Sequence, residues 1–343
     1  MSQVSLSLRR RSAGVDRQFF GGETTAAAVL FVVLAAVPPM LGGYPTYILP
    51  QYMLFGMLAM SLSLLWGFAG IVSFGQAAFF AIGAYGMGLT MQLDLGFNAA
   101  YAGILIAVLG AALLAAITGY FLFSAGVRAT YFVLVTLALS ISAEQVAVSQ
   151  SEITGGWNGL YVDRMTLTFG PLGTIGLSDD APVFYFILVL VACTYLLLRR
   201  LTTSKLGKVL VGIRENEDRL TALGYDVALY KTLAFALSGA AAGLAGALYA
   251  THASFVSPSL GGVLFSTQVV VWVAIGGRAS LLGALTGGIV VSSLTNYLSA
   301  IIPDYWQLAL GFIFIVVIVF FKRGLAGLTE SAFESLTRRR TAR

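Results

Sequence analysis

Charge is scarce in this chain. Only 10% of its 343 residues are Asp, Glu, Lys or Arg, against about 25% in ordinary soluble domains, which excludes a soluble globular protein. Cys193 is the single cysteine, so no intramolecular disulfide can form. His252 is the single histidine. A Cys/His zinc site or a Ser-His-Asp hydrolase would have to be built on that one imidazole; it reads instead as a polar residue near the end of a span, without a role. No G-x-x-x-x-G-K-[ST] occurs, because Leu206-Gly207-Lys208-Val209 lacks both the earlier glycine and the Ser/Thr that would hold magnesium. The chain therefore does not bind ATP by a P-loop, and no cofactor or nucleic-acid partner is expected.

What the chain has in abundance is apolar length. Hydrophobic residues make up 58% of it and the mean hydropathy is +0.88. A transmembrane helix takes about 20 apolar residues, so ten fit. The apolar runs are long and unbroken rather than alternating, which excludes an outer-membrane barrel. The 39 glycines beside only 8 prolines suit closely packed membrane helices. The expected fold is all-α and polytopic.

The basic residues set the threading. Four lie before the first run (Arg9, Arg10, Arg11 and Arg17), seven between Arg199 and Lys231, and six from Lys322 to Arg343. By the positive-inside rule these three blocks are cytoplasmic. Runs at 26–43, 47–67, 71–91, 98–124, 128–149 and 182–200 give six crossings before the central block. Runs at 232–251, 263–276, 280–301 and 305–321 give four after it. Arg128 and Arg278 then fall on cytoplasmic turns, and only Arg164 lies outside. The domain reading is a cytoplasmic tail over 1–25, a membrane domain over 26–322 and a basic cytoplasmic tail over 323–343. A periplasmic segment spans 150–181 and a cytoplasmic loop spans 202–231. The run Ala26–Met40 is read as a retained helix rather than a signal peptide.

Inside the spans, candidate chemistry is sparse. Glu144, one turn from the outer end of the fifth run, is a lone carboxylate without a second acid or histidine for a proton relay; it reads as snorkelling outward or shaping an outer mouth. Gln76 and Asn296 are polar contacts between helices or lining of a path. The stretch Gly70–Thr90 suits either a closely packed helix or a broken element lining a cavity. Gly239, Gly243 and Gly246, and likewise Gly283 and Gly287, form small-residue faces for helix packing. In the loop 202–231, Val209, Leu210, Ile213, Leu220 and Leu223 recur at helical spacing beside Arg214, Glu215, Glu217 and Asp218. That pattern is a short amphipathic helix. It rests either on lipid headgroups or in a protein groove, and the mixed charges of "RENED" favour the groove.

Several blocks in order carry a resemblance. They are "LLWGFAGIVSFGQAAFFAIGAYGMGL" (64–89), "TYFVLVTLALS" (130–140), "TGGWNGL" (154–160), "SKLGKVLVGIRENEDRLTALGYD" (204–226), "KTLAFALSGAAAGLAGALYA" (231–250), "SPSLG" (257–261) and "VAIGGRASLLGALTGG" (273–288). The chain resembles the permease subunits of ABC importers for branched-chain amino acids, a family that includes urea and short-chain amide permeases. Arg278 and Ala279 depart from the family's Gly-Gly-x-Gly-[ST] turn.

The resemblance implies that the loop around Gly212, Arg214, Glu215, Asn216 and Glu217 couples to a separate ATPase. Arg214 and Glu215 would make charged contacts to it, Asn216 would cap or orient the helix, and Gly224 would turn the chain back. It also implies the partners: a second homologous permease, two cytoplasmic ATP-binding subunits, an extracytoplasmic solute-binding protein and membrane lipid. Thr154, Gly155, Gly156 and Gly159 would form an outer hairpin with Trp157 as an interfacial anchor. Gln76, Glu144, Thr154, Gly155, Gly156 and Asn158 are the candidate path or outer mouth. Branched-chain amino acids are the preferred cargo, with urea or amides next. An ion-driven carrier and a membrane enzyme are disfavoured by the lack of buried ionisable residues.

Overall fold

The computed structural model describes residues 23–93, 98–127, 129–168, 174–176 and 179–320. The predicted tails fall mostly outside these residues, as do 169–173 and 177–178 of the predicted periplasmic segment. The first helix, α1 (Glu23–Leu41), begins three residues before the predicted span. It is followed by α2 (Gly43–Ser63), α3 (Gln76–Met91), α4 (Ala99–Ser124), α5 (Ala129–Ser149) and α6 (Asp180–Thr203). Two shorter helices come next, α7 (Lys205–Glu215) and α8 (Glu217–Ala222). The chain then returns through α9 (Val227–Ala253), α10 (Val263–Gly276), α11 (Leu281–Ile301) and α12 (Trp306–Phe320). Strand pairing is confined to β1 (Leu160–Tyr161) with β4 (Phe255–Val256) and β2 (Thr166–Thr168) with β3 (Thr174–Gly176) among the described residues, all antiparallel.

Seven helices among the described residues are long and apolar enough to cross a membrane. The chain is an all-α, multi-pass membrane protein. Each of the ten predicted runs coincides with a helix, but three of those helices are short. α10 has 14 residues and α12 is described for 15, up to Phe320. α3 has 16 residues, about 24 Å of rise against a hydrocarbon core of about 30 Å. Its predicted start at residue 71 is corrected to Gln76, because residues 70–75 are not helical.

The centre of the bundle is α2, whose residues from Met53 to Leu65 are almost all without solvent exposure apart from Phe55. α11, α9 and α6 pack against it, and α9 also lies along α3 and α4. The α4–α9 contact follows from residue size. α4 buries Gly103, Ala107, Ala111, Ala115 and Gly119, one small residue every four, while Leu105, Leu109 and Leu113 face outward. Opposite them stand Gly239 and Gly243. A Cβ on Gly239 would come within 2.6 Å of the Ala115 Cβ, and one on Gly243 within 2.6 Å of the Ala107 carbonyl oxygen. Gly246 abuts the Phe80 carbonyl of α3. Such faces let backbones touch where lipid supplies no hydrophobic drive between helices. Gly283 and Gly287 do the same for α10 and α11 at Gly276, and Gly288 meets Gly56 of α2.

Candidate functional site

The C-terminal end of α2 is irregular. Its last turn, Leu64–Ala69, widens into a π-helix that stops at Gly70, a left-handed residue at φ +74°. Five further non-helical residues lead to α3. Of the stretch Gly70–Thr90, residues 70–75 form the broken part, while Gln76–Thr90 belongs to α3, whose Gly83 packs closely on the Gly243 backbone. Irregular backbone at membrane depth must find partners inside the protein, and it does. The Phe74 N–H donates to Thr136 Oγ1 of α5 at 3.1 Å, while the Phe74 carbonyl accepts from Ser140 of α5 and Ser266 of α10. Those two hydroxyls lie 2.9 Å apart.

Gln76 opens α3 at the far side of the break and is fully buried. Its Oε1 accepts from Ser61 Oγ of α2 at 3.0 Å, and its Nε2 donates to Ser238 Oγ of α9 at 3.0 Å. Ser238 donates in turn to the Ser61 carbonyl at 2.6 Å. The amide thus fastens three helices around the break, and each such bond contributes about 0.6–2 kcal/mol in a membrane.

The expected amphipathic helix of the central loop is two helices. α7 buries Gly207, Leu210 and Ile213 and leaves Lys205, Lys208, Arg214 and Glu215 exposed. Asn216 separates it from α8. Its side-chain oxygen accepts from the Arg219 N–H at 2.9 Å, and Glu217 and Asp218 occupy the first turn, where acids complement the helix dipole. Gly212 is where the pair closes: a Cβ there would stand 3.1 Å from Leu220 Cδ2. Glu217 pairs with Lys231 of α9 at 2.6 Å, and that ammonium also lies 5.6 Å from the centre of the Phe123 ring. Gly224, at φ +85°, ends α8 in a conformation that side chains resist.

Arg214 crosses from α7 to the break. Its guanidinium donates to the Gly67 carbonyl within the π turn. Its stem lies over Gly70, where a Cβ would come within 2.7 Å of Arg214 Cγ. Gly67 is pressed from its other side by the Arg278 carbonyl of the α10–α11 turn, which also accepts from Ser63 Oγ at 3.0 Å. Three elements therefore meet on one π turn: the amphipathic pair, the broken segment and the α10–α11 connection. The sequence reasoning singled out Arg214 but not Gly67, Ser61, Ser63 or Ser238. The only local signal for them was a serine pair on an apolar run ahead of a glycine-rich stretch.

At the opposite end of the bundle, Glu144 is half-buried, one turn beyond Ser140 on α5. It faces Gly262 at the N-terminus of α10, where a Cβ would lie 2.8 Å from Glu144 Cδ. A carboxylate there meets the positive end of the helix dipole. The segment 154–159 folds tightly. Thr154 Oγ1 donates to the Ala147 and Gln150 carbonyls, and Gly155, Gly156 and Gly159 have φ of +77°, +55° and +72°. Trp157 and Asn158 are exposed. β1 follows at once and ties this turn to the α9–α10 connection. His252, nearby on α9, is buried with its ring 5.6 Å from that of Tyr47, and Arg164 pairs with Asp180 at 3.3 Å. Gln76 is not part of this cluster; it belongs to the break.

The comparisons with known proteins agree with this architecture. The family described as "Branched-chain amino acid transport system / permease component" matches residues 44–318. The chain is similar to the high-affinity branched-chain amino acid transport system permease protein LivM of Escherichia coli (strain K12), at 28% identity over 88% of this chain and 74% of that protein. It is similar to the probable branched-chain amino acid transport permease LivM of Methanocaldococcus jannaschii, at 27% identity over 60% of this chain and 66% of that one. The ribose import permease protein RbsC of Haemophilus influenzae is 26% identical over 60% of this chain and 64% of its own length. No solved structure gives a significant match. With four fifths of its length matched, the chain belongs to the branched-chain amino acid transport system permease family.

Proposed function

We propose that the chain carries branched-chain amino acids inward across the cell membrane, as one permease of an ATP-driven importer, and that α7 and α8 form the face on which a cytoplasmic ATPase docks. The observation that carries this reading is the Arg214 bond to the π turn. An amphipathic pair with an exposed, mixed-charge surface is bound directly to the one irregular element of the central helix, so a force on the pair reaches the membrane. The contacts to the ATPase fall to Glu215 and Asp218, which are exposed, while Arg214, Asn216 and Glu217 hold the pair in place. In this proposal Arg214, which the sequence reading set against the ATPase, serves the π turn instead.

The proposed topology has ten spans with both termini in the cytoplasm, so that the 154–160 turn faces the solute-binding protein. A second, homologous permease and two ATPases complete the importer. The charge pattern of the loops and the position of α7 and α8 support this arrangement.

Reversing Glu215→Lys and Asp218→Lys together tests the docking face. Both side chains lie on the surface, so the variant is expected to insert and fold normally, because surface changes cost within about 0.5 kcal/mol. ATPase co-purification should fall to background. Retention of the ATPases at the wild-type level would remove the assignment.

A further inference from the structure

A cavity of about 260 Å³ lies between α2, α10, α11 and α12. Its floor is aromatic: Phe55 stacks on Trp272 with ring centres 5.1 Å apart, and Phe265 and Tyr249 brace Phe55 at 5.6 Å each. Its walls carry Gln51, Gln268, Ser292, Thr295 and Asn296. Among the described residues, no Asp, Glu, Lys, Arg or His lines it. Ser292 is only 7% exposed and its hydroxyl has no hydrogen-bond partner. A buried hydroxyl left unpaired costs about 1–3 kcal/mol, so a polar group that enters beside Ser292 gains a hydrogen bond there.

The lining states what it would accept. An aliphatic side chain fits a rigid aromatic floor. Amide and hydroxyl dipoles can serve an ammonium and a carboxylate at once, but they cannot neutralise a net charge at membrane depth. With α2 and α10 entering from the outside, Gln51 and Gln268 stand toward the outer surface, and Phe55 and Trp272 lie about one turn deeper.

We propose that this cavity is a station for a net-neutral zwitterion with an aliphatic side chain on its way through the permease. The permease then selects against net charge itself, in addition to any selection by the solute-binding protein. This rests on the importer reading above and names where in the chain its cargo pauses.

The test uses the complete importer, with both permeases, the ATPases and the solute-binding protein, in proteoliposomes supplied with labelled leucine. Ser292→Trp fills the cavity and is expected to cut uptake roughly tenfold or more, while ATP hydrolysis stimulated by the loaded binding protein persists. Ser292→Ala and Gln268→Leu should each lower uptake several-fold at an unchanged complex yield, and they decide the matter if the tryptophan variant does not assemble. Wild-type uptake in Ser292→Ala and Gln268→Leu would overturn the proposal. A wild-type importer that moves urea and not leucine would overturn the cargo reading instead. The same three variants assayed with urea would then show whether the cavity lies on the path.

Discussion

Arg214→Ala is expected to separate ATP hydrolysis from transport. The guanidinium bond to the Gly67 carbonyl ties α7 to the π turn at the end of α2, whereas the Glu217–Lys231 pair ties α8 to α9. Removing Arg214 leaves the second tie and the buried Leu210 and Ile213 contacts in place, so the ATPases should still co-purify. A hydrogen bond to a charged donor contributes about 1.5–3 kcal/mol, and a coupling energy of that size corresponds to roughly a tenfold or larger change. Leucine uptake should therefore fall about tenfold while ATP hydrolysis continues. Equal losses of uptake and ATPase binding would show that Arg214 belongs to the docking face.

Gly243→Leu is expected to abolish the folded bundle. A Cβ at Gly243 meets the Ala111 Cβ at 2.5 Å and the Ala107 carbonyl oxygen at 2.6 Å, and the Gly243 carbonyl is itself the close neighbour of Gly83 on α3. The obstructing atoms are mostly backbone, so no rotamer change relieves them. Overpacking a tight core costs about 1–3 kcal/mol, and a leucine wedged between three helices exceeds that range. The yield of monodisperse, protease-resistant permease should drop about tenfold. Gly110→Ala is the matched control: its Cβ would touch only Ile82 Cγ2 at 3.7 Å, and its yield should equal that of wild type. A normal yield from Gly243→Leu would mean that α4 and α9 are not packed through this face.

The positions of the apolar helices were legible in the sequence because each forms a long run with few charges, bounded by loops that carry the charged residues. The small-residue faces were legible for a related reason, since glycine and alanine at every fourth position have no other use on an apolar helix. The break at 70–75 was only half legible. Gly70 and Gly75 signalled irregular backbone, but its partners Thr136, Ser140 and Ser266 come from helices distant in sequence. Arg214 was found from the charge pattern of its helix, yet its partner is a main-chain carbonyl, which leaves no mark in side-chain chemistry. Of the cavity's polar lining, only Asn296 was marked in the sequence, as a residue that lines a path or bonds between helices. Gln51, Gln268 and Ser292 lie on three different helices, and each alone reads as an isolated polar residue.

Uptake of labelled leucine by cells with and without this gene tests the central claim most directly, with excess isoleucine or urea as competitor and with ATP depleted or an uncoupler added. The predicted result is gene-dependent uptake that isoleucine suppresses, urea leaves unchanged and ATP depletion abolishes. Uptake that ignores the gene, or that survives ATP depletion and collapses with the uncoupler, would contradict it.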